Sequence, residues 1–110
     1  MEIDITTASQ AVIVAVRGRL DTTTAPAFEQ RLAEVISQGA TYVVVQCSEL
    51  VYISSAGLRS VLLSGKKLQA QQGRLAFVGL QDTVKEIFDM AGFSTLFQTF
   101  ASEDAALARP

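Results

Sequence analysis

The chain has 110 residues, about half of them apolar, a formal net charge of −2 and no histidine. That length suits one domain with a modest core, and the composition favours a compact globule over disorder. The charge balance lacks the basic excess of a nucleic-acid binder, and without His the chain has neither the commonest general base nor the commonest metal ligand.

Ile3 and Ile5 alternate with polar residues at the N-terminus, which predicts a short, half-exposed strand. The same stretch lacks the positive start and apolar core of a signal peptide, and no apolar run approaches bilayer-spanning length, so a cytoplasmic chain without direct membrane insertion is expected. AVIVAVRG, residues 11 to 18, predicts a second, more buried strand. The break between them, TASQ, is short enough for an antiparallel hairpin.

LDTTTAPAFEQRLAEVISQG follows. Thr24 or a neighbour is a candidate helix cap, and Pro26 suits the first turn, where a missing N–H costs nothing. Phe28, Leu32, Val35 and Ile36 make one apolar face, and Gly39 is a natural stop. YVVVQ, residues 42 to 46, predicts a central strand buried on both faces. Cys47 comes next; a single cysteine allows neither an intramolecular disulfide nor a thiolate metal cluster, and its position reads as a half-buried small hydrophobe.

LVYISSAGLRSVLL, residues 50 to 63, sets two serines and a glycine between an apolar run and a helix. A helix from near Ala56 is predicted, with Leu58, Val61, Leu62, Gly65 and Leu68 inward and Gly73 at its end. One serine serves as N-cap and Gly57 permits close packing, which leaves a second hydroxyl at the carboxyl end of a parallel strand, where α/β sheets dock ligands and partners. A phosphate there would meet the positive end of the helix dipole and add about −1.5 to −2 charges, enough to spoil a close interface. Opposite the core stripe fall Arg59, Leu63, Lys66, Lys67 and Ala70, which makes Leu63 an apolar residue on the polar side and part of a candidate docking surface.

RLAFVG predicts the next strand and DTVKEIFDMAG a third helix, with Val84, Ile87 and Phe88 inward and Gly92 beyond its end. TLFQTF reads as a short final strand or extended segment, and SEDAALAR as a C-terminal helix with Ser102 as cap. The expected fold is a single α/β domain over residues 1–110: a mixed, mostly parallel β-sheet with an N-terminal antiparallel strand, covered by about four helices. Its core spans about residues 2–100, with a C-terminal helix or tail at 101–110.

Ser55 as a catalytic nucleophile is disfavoured. The stretch lacks Gly-x-Ser-x-Gly, no His can act as base, and Lys66 and Lys67 fall on an exposed helix face. No catalytic residue, cofactor or metal is therefore expected.

VVVQCSELVYISSAGLRSVLLSGKKLQAQQGRLAFVGL resembles the centre of a STAS domain, in particular the small bacterial anti-sigma factor antagonists. GRLDTTTAPAFEQRL and VKEIFDMAGFSTLF are similar to that family's other hallmarks, so the likeness covers roughly residues 10 to 100. The resemblance implies partner switching. The unphosphorylated antagonist binds an anti-sigma factor, a serine kinase of the histidine-kinase-like ATPase type, and so frees a sigma factor; phosphorylation ends binding, and a metal-dependent serine phosphatase restores it. The family motif Asp-Ser-Ser/Thr-Gly-Leu, set on Gly57 and Leu58, puts Ser55 at the phosphoacceptor position, with Ser54 in place of the Asp and the second candidate acceptor. With the outer-face residues of the helix, the expected partner-binding surface is Asp21, Thr22, Thr23, Ser54, Ser55, Gly57, Leu58, Arg59 and Leu63. Gln46 stands where the family often has an acidic residue. The other role within the family is a non-switching STAS subunit of a transporter such as a lipid-transport ATPase, which needs no acceptor serine.

Overall fold

The computed structural model describes residues 1–108. Two strands open the chain, β1 (Glu2–Ala8) and β2 (Ala11–Leu20), paired antiparallel from Glu2↔Arg17 to Ala8↔Ala11. The hairpin is tighter than TASQ suggests, because the strands continue to Ala8 and Ala11 and only Ser9 and Gln10 turn, Ser9 with φ of 54°. Arg17 donates to both Glu2 and Asp4 on the facing strand.

Helix α1 (Ala25–Ser37) buries the predicted face of Phe28, Leu32, Val35 and Ile36. It stops at Gly39, which takes φ of 97°, with Gly39 N–H bonding Ile36 O and Ala40 N–H bonding Val35 O. Those paired bonds satisfy carbonyls that a helix end leaves open. Strand β3 (Tyr42–Ile53) is more than twice the predicted five residues. Val43, Val44 and Val45 are fully buried, as a strand covered on both faces requires. Cys47 lies within β3 and is fully buried, not half-buried, and burial pushes its thiol up to about 12.

Helix α2 (Ser55–Ala70) and strand β4 (Arg74–Val78) follow. The left-handed residue that ends α2 is Gln72, with φ of 62°, and not Gly73. Gly73 instead lies where a Cβ would come within 2.7 Å of Thr41 O, so its bare backbone lets the helix end pass against the start of β3. Helix α3 (Asp82–Met90) buries Val84 and Phe88 and half-buries Ile87. A short helix α4 (Phe93–Leu96) takes Thr95 and Leu96 of the expected TLFQTF strand, and with Phe97 as its C-cap it leaves β5 (Gln98–Phe100) only three residues. Helix α5 (Glu103–Leu107) is capped by Ser102, whose hydroxyl accepts from Ala105 N–H. The described residues form five helices, in keeping with the expected cover of about four; Arg109 and Pro110, the end of the predicted tail, lie outside the described residues.

The sheet order is β1-β2-β3-β4-β5, antiparallel at β1/β2 and parallel elsewhere. One face carries the main core, where Val14, Val16, Val43, Val45, Leu75 and Phe77 meet apolar residues of α1, α2 and α3. The other face is smaller, with Ile13, Val44, Ala76 and Val78 under Ala106 of α5. Two bonds hold α5 there: Tyr42 Oη donates to Ala106 O at 2.8 Å, and Gln46 Nε2 donates to Glu103 Oε2 at 2.9 Å. Gln46 thus ties β3 to α5, on the sheet face away from α2.

Candidate functional site

Strands β2 and β3 end side by side, with Leu20 paired to Ile53. The pairing continues one step beyond the strands, where Ser54 N–H donates to Leu20 O at 2.9 Å. Ser54 keeps an extended backbone, its carbonyl accepts from Leu58 N–H at 2.9 Å, and its hydroxyl accepts from Gly57 N–H at 3.2 Å. It is the N-cap of α2, satisfying an amide that the first turn cannot pair internally.

Gly57 sets how close that turn lies to the sheet. A Cβ there would stand 2.7 Å from Leu20 O, 2.8 Å from Ile53 Cγ1 and 2.9 Å from Leu20 Cγ. Bare backbone at position 57 therefore seats the start of α2 directly on the ends of β2 and β3. The seating fixes Ser55, one residue earlier in the helix than expected, as the first helical residue and leaves it exposed. Its hydroxyl has no hydrogen bond among the described residues. The first turn of α2 holds no acidic residue, so nothing on it offsets the positive end of the helix dipole.

Since Leu20 bonds Ser54, the loop that follows Leu20 flanks the same corner. Its fold comes from Asp21, whose Oδ1 accepts from Thr23 N–H at 3.1 Å, Thr23 Oγ1 at 2.7 Å and Thr24 N–H at 3.3 Å. Those bonds, the Thr23 hydroxyl first, hold the Asp21 carboxyl below its ordinary value. Thr24 occupies the N-cap position of α1 but makes no side-chain cap bond. Its hydroxyl accepts from Asp21 N–H at 2.9 Å and donates to Arg19 O at 2.8 Å, closing the loop on itself. Thr22 and Thr23 are exposed.

The buried face of α2 differs from the predicted one. Gly57, Ser60, Val61, Ser64, Gly65 and Leu68 are buried, while Leu58 and Leu62 are only half-buried. At 100° per residue the buried arc is rotated by roughly 60° toward the small residues. The cause is α1: Ser60, 2 % exposed, donates to Glu29 Oε1 across the helix pair at 2.9 Å. Small side chains let the helices approach, an effect that hydrophobicity alone does not register. Leu63, three residues beyond Ser60 and on the α1 side of the outer face, is consequently half-buried rather than exposed. Arg59, Lys66 and Lys67 are exposed as expected.

The structure thus brings Asp21, Thr22, Thr23, Ser54, Ser55 and Gly57 to one corner and strings Leu58, Arg59 and Leu63 along the helix that leaves it. The sequence reading overlooked Arg19 and Tyr52. Arg19 Nε lies 3.6 Å from Asp21 Oδ2, and its guanidinium lies over the Tyr52 ring at 4.4 Å. Both stand at strand ends next to the two motifs, and what brings them together is the pairing of Arg19 with Tyr52 across β2 and β3.

The chain matches the STAS domain family over residues 2–106. The Bordetella bronchiseptica protein named anti-sigma factor antagonist BtrV is 38% identical over 97 residues, covering 88% of this chain and 84% of that relative. Among solved structures, the anti-sigma factor antagonist SpoIIAA in its unphosphorylated form superposes with a TM-score of 0.86 at 24% identity, covering 98% of this chain and 95% of that one. The phosphorylated form of SpoIIAA, from Bacillus, gives 0.77 at 23% identity, covering 98% of each chain. A sulfate transporter family protein from Wolinella succinogenes gives 0.80 at 17% identity, covering 94% of this chain and 86% of that one. The SpoIIAA and Wolinella matches speak to fold.

Proposed function

The chain belongs to the STAS domain family, with its anti-sigma factor antagonists, and on that premise we propose that it regulates an anti-sigma factor by partner switching. Such antagonists are regulators and not enzymes, so the serine corner is a substrate for another protein's chemistry. The unphosphorylated chain binds an anti-sigma factor that is itself a serine kinase of the histidine-kinase-like ATPase type, in the cytoplasm. In that complex the Ser55 Oγ–P bond forms as the bond between the γ-phosphorus of ATP and the ADP oxygen breaks. The hydroxyl proton leaves and ADP is released. A metal-dependent serine phosphatase hydrolyses the ester with water, giving back Ser55 and inorganic phosphate.

The observation that carries this reading is the division between the two serines. Ser54 is engaged as N-cap, while Ser55, one residue on, presents an unbonded hydroxyl to solvent. A phosphate at Ser55 would be held by the positive end of α2 and would place about two negative charges on the corner shared with the Asp21 loop. The 38% identity to the Bordetella relative, over most of both chains, supports the antagonist role.

The test is incubation with ATP and the anti-sigma factor kinase of the same genome, then mapping of the modified residue by mass spectrometry. Phosphate is expected on Ser55. Ser55→Ala should keep kinase binding and lose phosphate incorporation, and Ser55→Asp should weaken the complex. Undiminished labelling of Ser55→Ala, located at Ser54, would move the acceptor. The other reading within the family is a non-switching, transporter-associated STAS subunit, whose fold would be the same. Co-purification with membrane transporter subunits, without any kinase, would select it.

A further inference from the structure

Positive charge is distributed unevenly over this molecule. Arg17, Arg19, Arg31 and Lys85 each pair with a carboxylate, and Arg74 lies over the Tyr42 ring and bonds Gln98. The remaining cations among the described residues, Arg59, Lys66 and Lys67, all belong to α2 and have no ion pair. Helix α2 carries no acid at all, in a chain whose net charge is −2. At 100° per residue, Ser55, Arg59, Leu63 and Lys66 fall within about 80° of one another on its outward side, with Leu62, which also packs against the main core, at the margin of that arc. Ser55 and Arg59 are one turn apart, and the half-buried Leu62 and Leu63 separate the two central cations.

We propose that this stripe docks on an acidic surface of the partner protein, and that phosphate on Ser55 closes it by capturing Arg59. The inference rests on Ser55 being the phosphoacceptor. An apolar centre between charged ends is the anatomy of a protein–protein contact. Three cations on an otherwise acidic chain are too few and too local to hold nucleic acid or an anionic bilayer, which the rest of the surface would repel. An acid placed four residues before a base on a helix is the favoured orientation for an ion pair. A phosphoserine dianion offers three acceptor oxygens, to which a guanidinium can bond through two N–H groups. Phosphorylation at Ser55 therefore withdraws Arg59 from the partner as well as adding like charge against the partner's acidic surface.

The experiment measures the affinity of the full chain for the anti-sigma factor kinase that binds it, for wild type, Arg59→Gln and Lys66→Gln, each with Ser55 or with phosphoserine installed at 55 by codon suppression. Far-UV circular dichroism checks that the variants fold. Arg59→Gln should weaken binding by about tenfold and Lys66→Gln by less, and wild-type binding should weaken with added salt. Phosphoserine should reduce wild-type affinity by about tenfold more than it reduces that of Arg59→Gln, since the captured group is gone. The Arg59 side-chain Nε–H resonance should also shift on phosphorylation in the isolated chain. Equal losses on phosphorylation in both backgrounds, an unmoved Arg59 resonance, or Arg59→Gln binding as tightly as wild type would each overturn the inference while leaving the partner-switching reading intact. Stripe-dependent binding to phosphatidylserine vesicles or self-association would assign the face to another occupant and overturn it too. Failure of the wild-type chain to bind any kinase would sink the function reading itself, and this inference with it.

Discussion

At the start of α1, the side-chain oxygens of Asp21, Thr23 and Thr24 are engaged within their own loop: one carboxylate oxygen accepts from two residues, and the Thr24 hydroxyl closes the turn back to Arg19. At the start of α2, only Ser54 is engaged in this way, and the next hydroxyl, on Ser55, is left to solvent. Both helix starts lie beside the carboxyl end of β2, and they are linked by the bond from Ser54 N–H to Leu20 O. The first start spends its side-chain oxygens on its own loop; the second leaves one hydroxyl exposed.

The largest expected disturbance of this contrast is Gly57→Ala. Its new Cβ would meet the Leu20 carbonyl and the Ile53 side chain below 3 Å, and the backbone oxygen has little room to yield. Overpacking of that kind costs about 1–3 kcal/mol, read as a lowered urea midpoint, and it should loosen Ser55 from the Asp21 loop. Next comes Ser54→Ala, which removes the α2 cap at a cost of about 1 kcal/mol and should speed hydrogen exchange at the Gly57 amide. If stability is unchanged, Ser55 can take over the cap and the division of roles between the serines is wrong.

A third effect is specific to the α1 start. Asp21 has a folded pKa below its unfolded one, so its contribution to stability is present above the ordinary carboxyl range and is lost as pH falls through the lowered folded value. The Thr23 and Thr24 amide resonances should titrate together with a midpoint below that of an unperturbed Asp. Asp21→Asn should abolish the shared titration; its persistence would mean another group closes the loop. The smallest effect is that of Ser55→Ala, whose stability should stay within about 0.5 kcal/mol of wild type, as for a surface position with no partner. A greater loss would show that the hydroxyl has a structural bond after all.

Much of this was readable from residues close together in the chain. Gly39 and Ser102 marked a helix end and a helix start correctly because capping depends on bonds a few residues long. Ile3 and Ile5 announced a half-exposed strand through their alternation. Such signals failed where distant neighbours intervened. Strand β3 runs on through polar Ser48 and Glu49 because Arg17 to Leu20 of β2 pair with it there. Gly73 marks the end of α2 in the sequence, but the left-handed residue there is Gln72, and Gly73 answers instead to the close approach of Thr41. The first two residues of TLFQTF, Thr95 and Leu96, lie in helix α4, where Phe93 is buried and Phe93 and Phe97 join a cluster of rings with Phe77 and Phe88.

The sequence by itself determined the order of elements apart from the short helix α4, the helix that begins at the paired serines, and the likeness that points to Ser55. The tertiary structure alone decided which serine is engaged and which is free, that α2 turns its small residues toward α1, and that Leu63 is half-covered. It also decided that the Asp21 loop and Ser55 share one corner. The reason is one of range. Caps and periodicity act over one or two turns, whereas burial and proximity depend on how closely segments some 30 residues apart can approach, as Leu20 does Ser54 and Gly57.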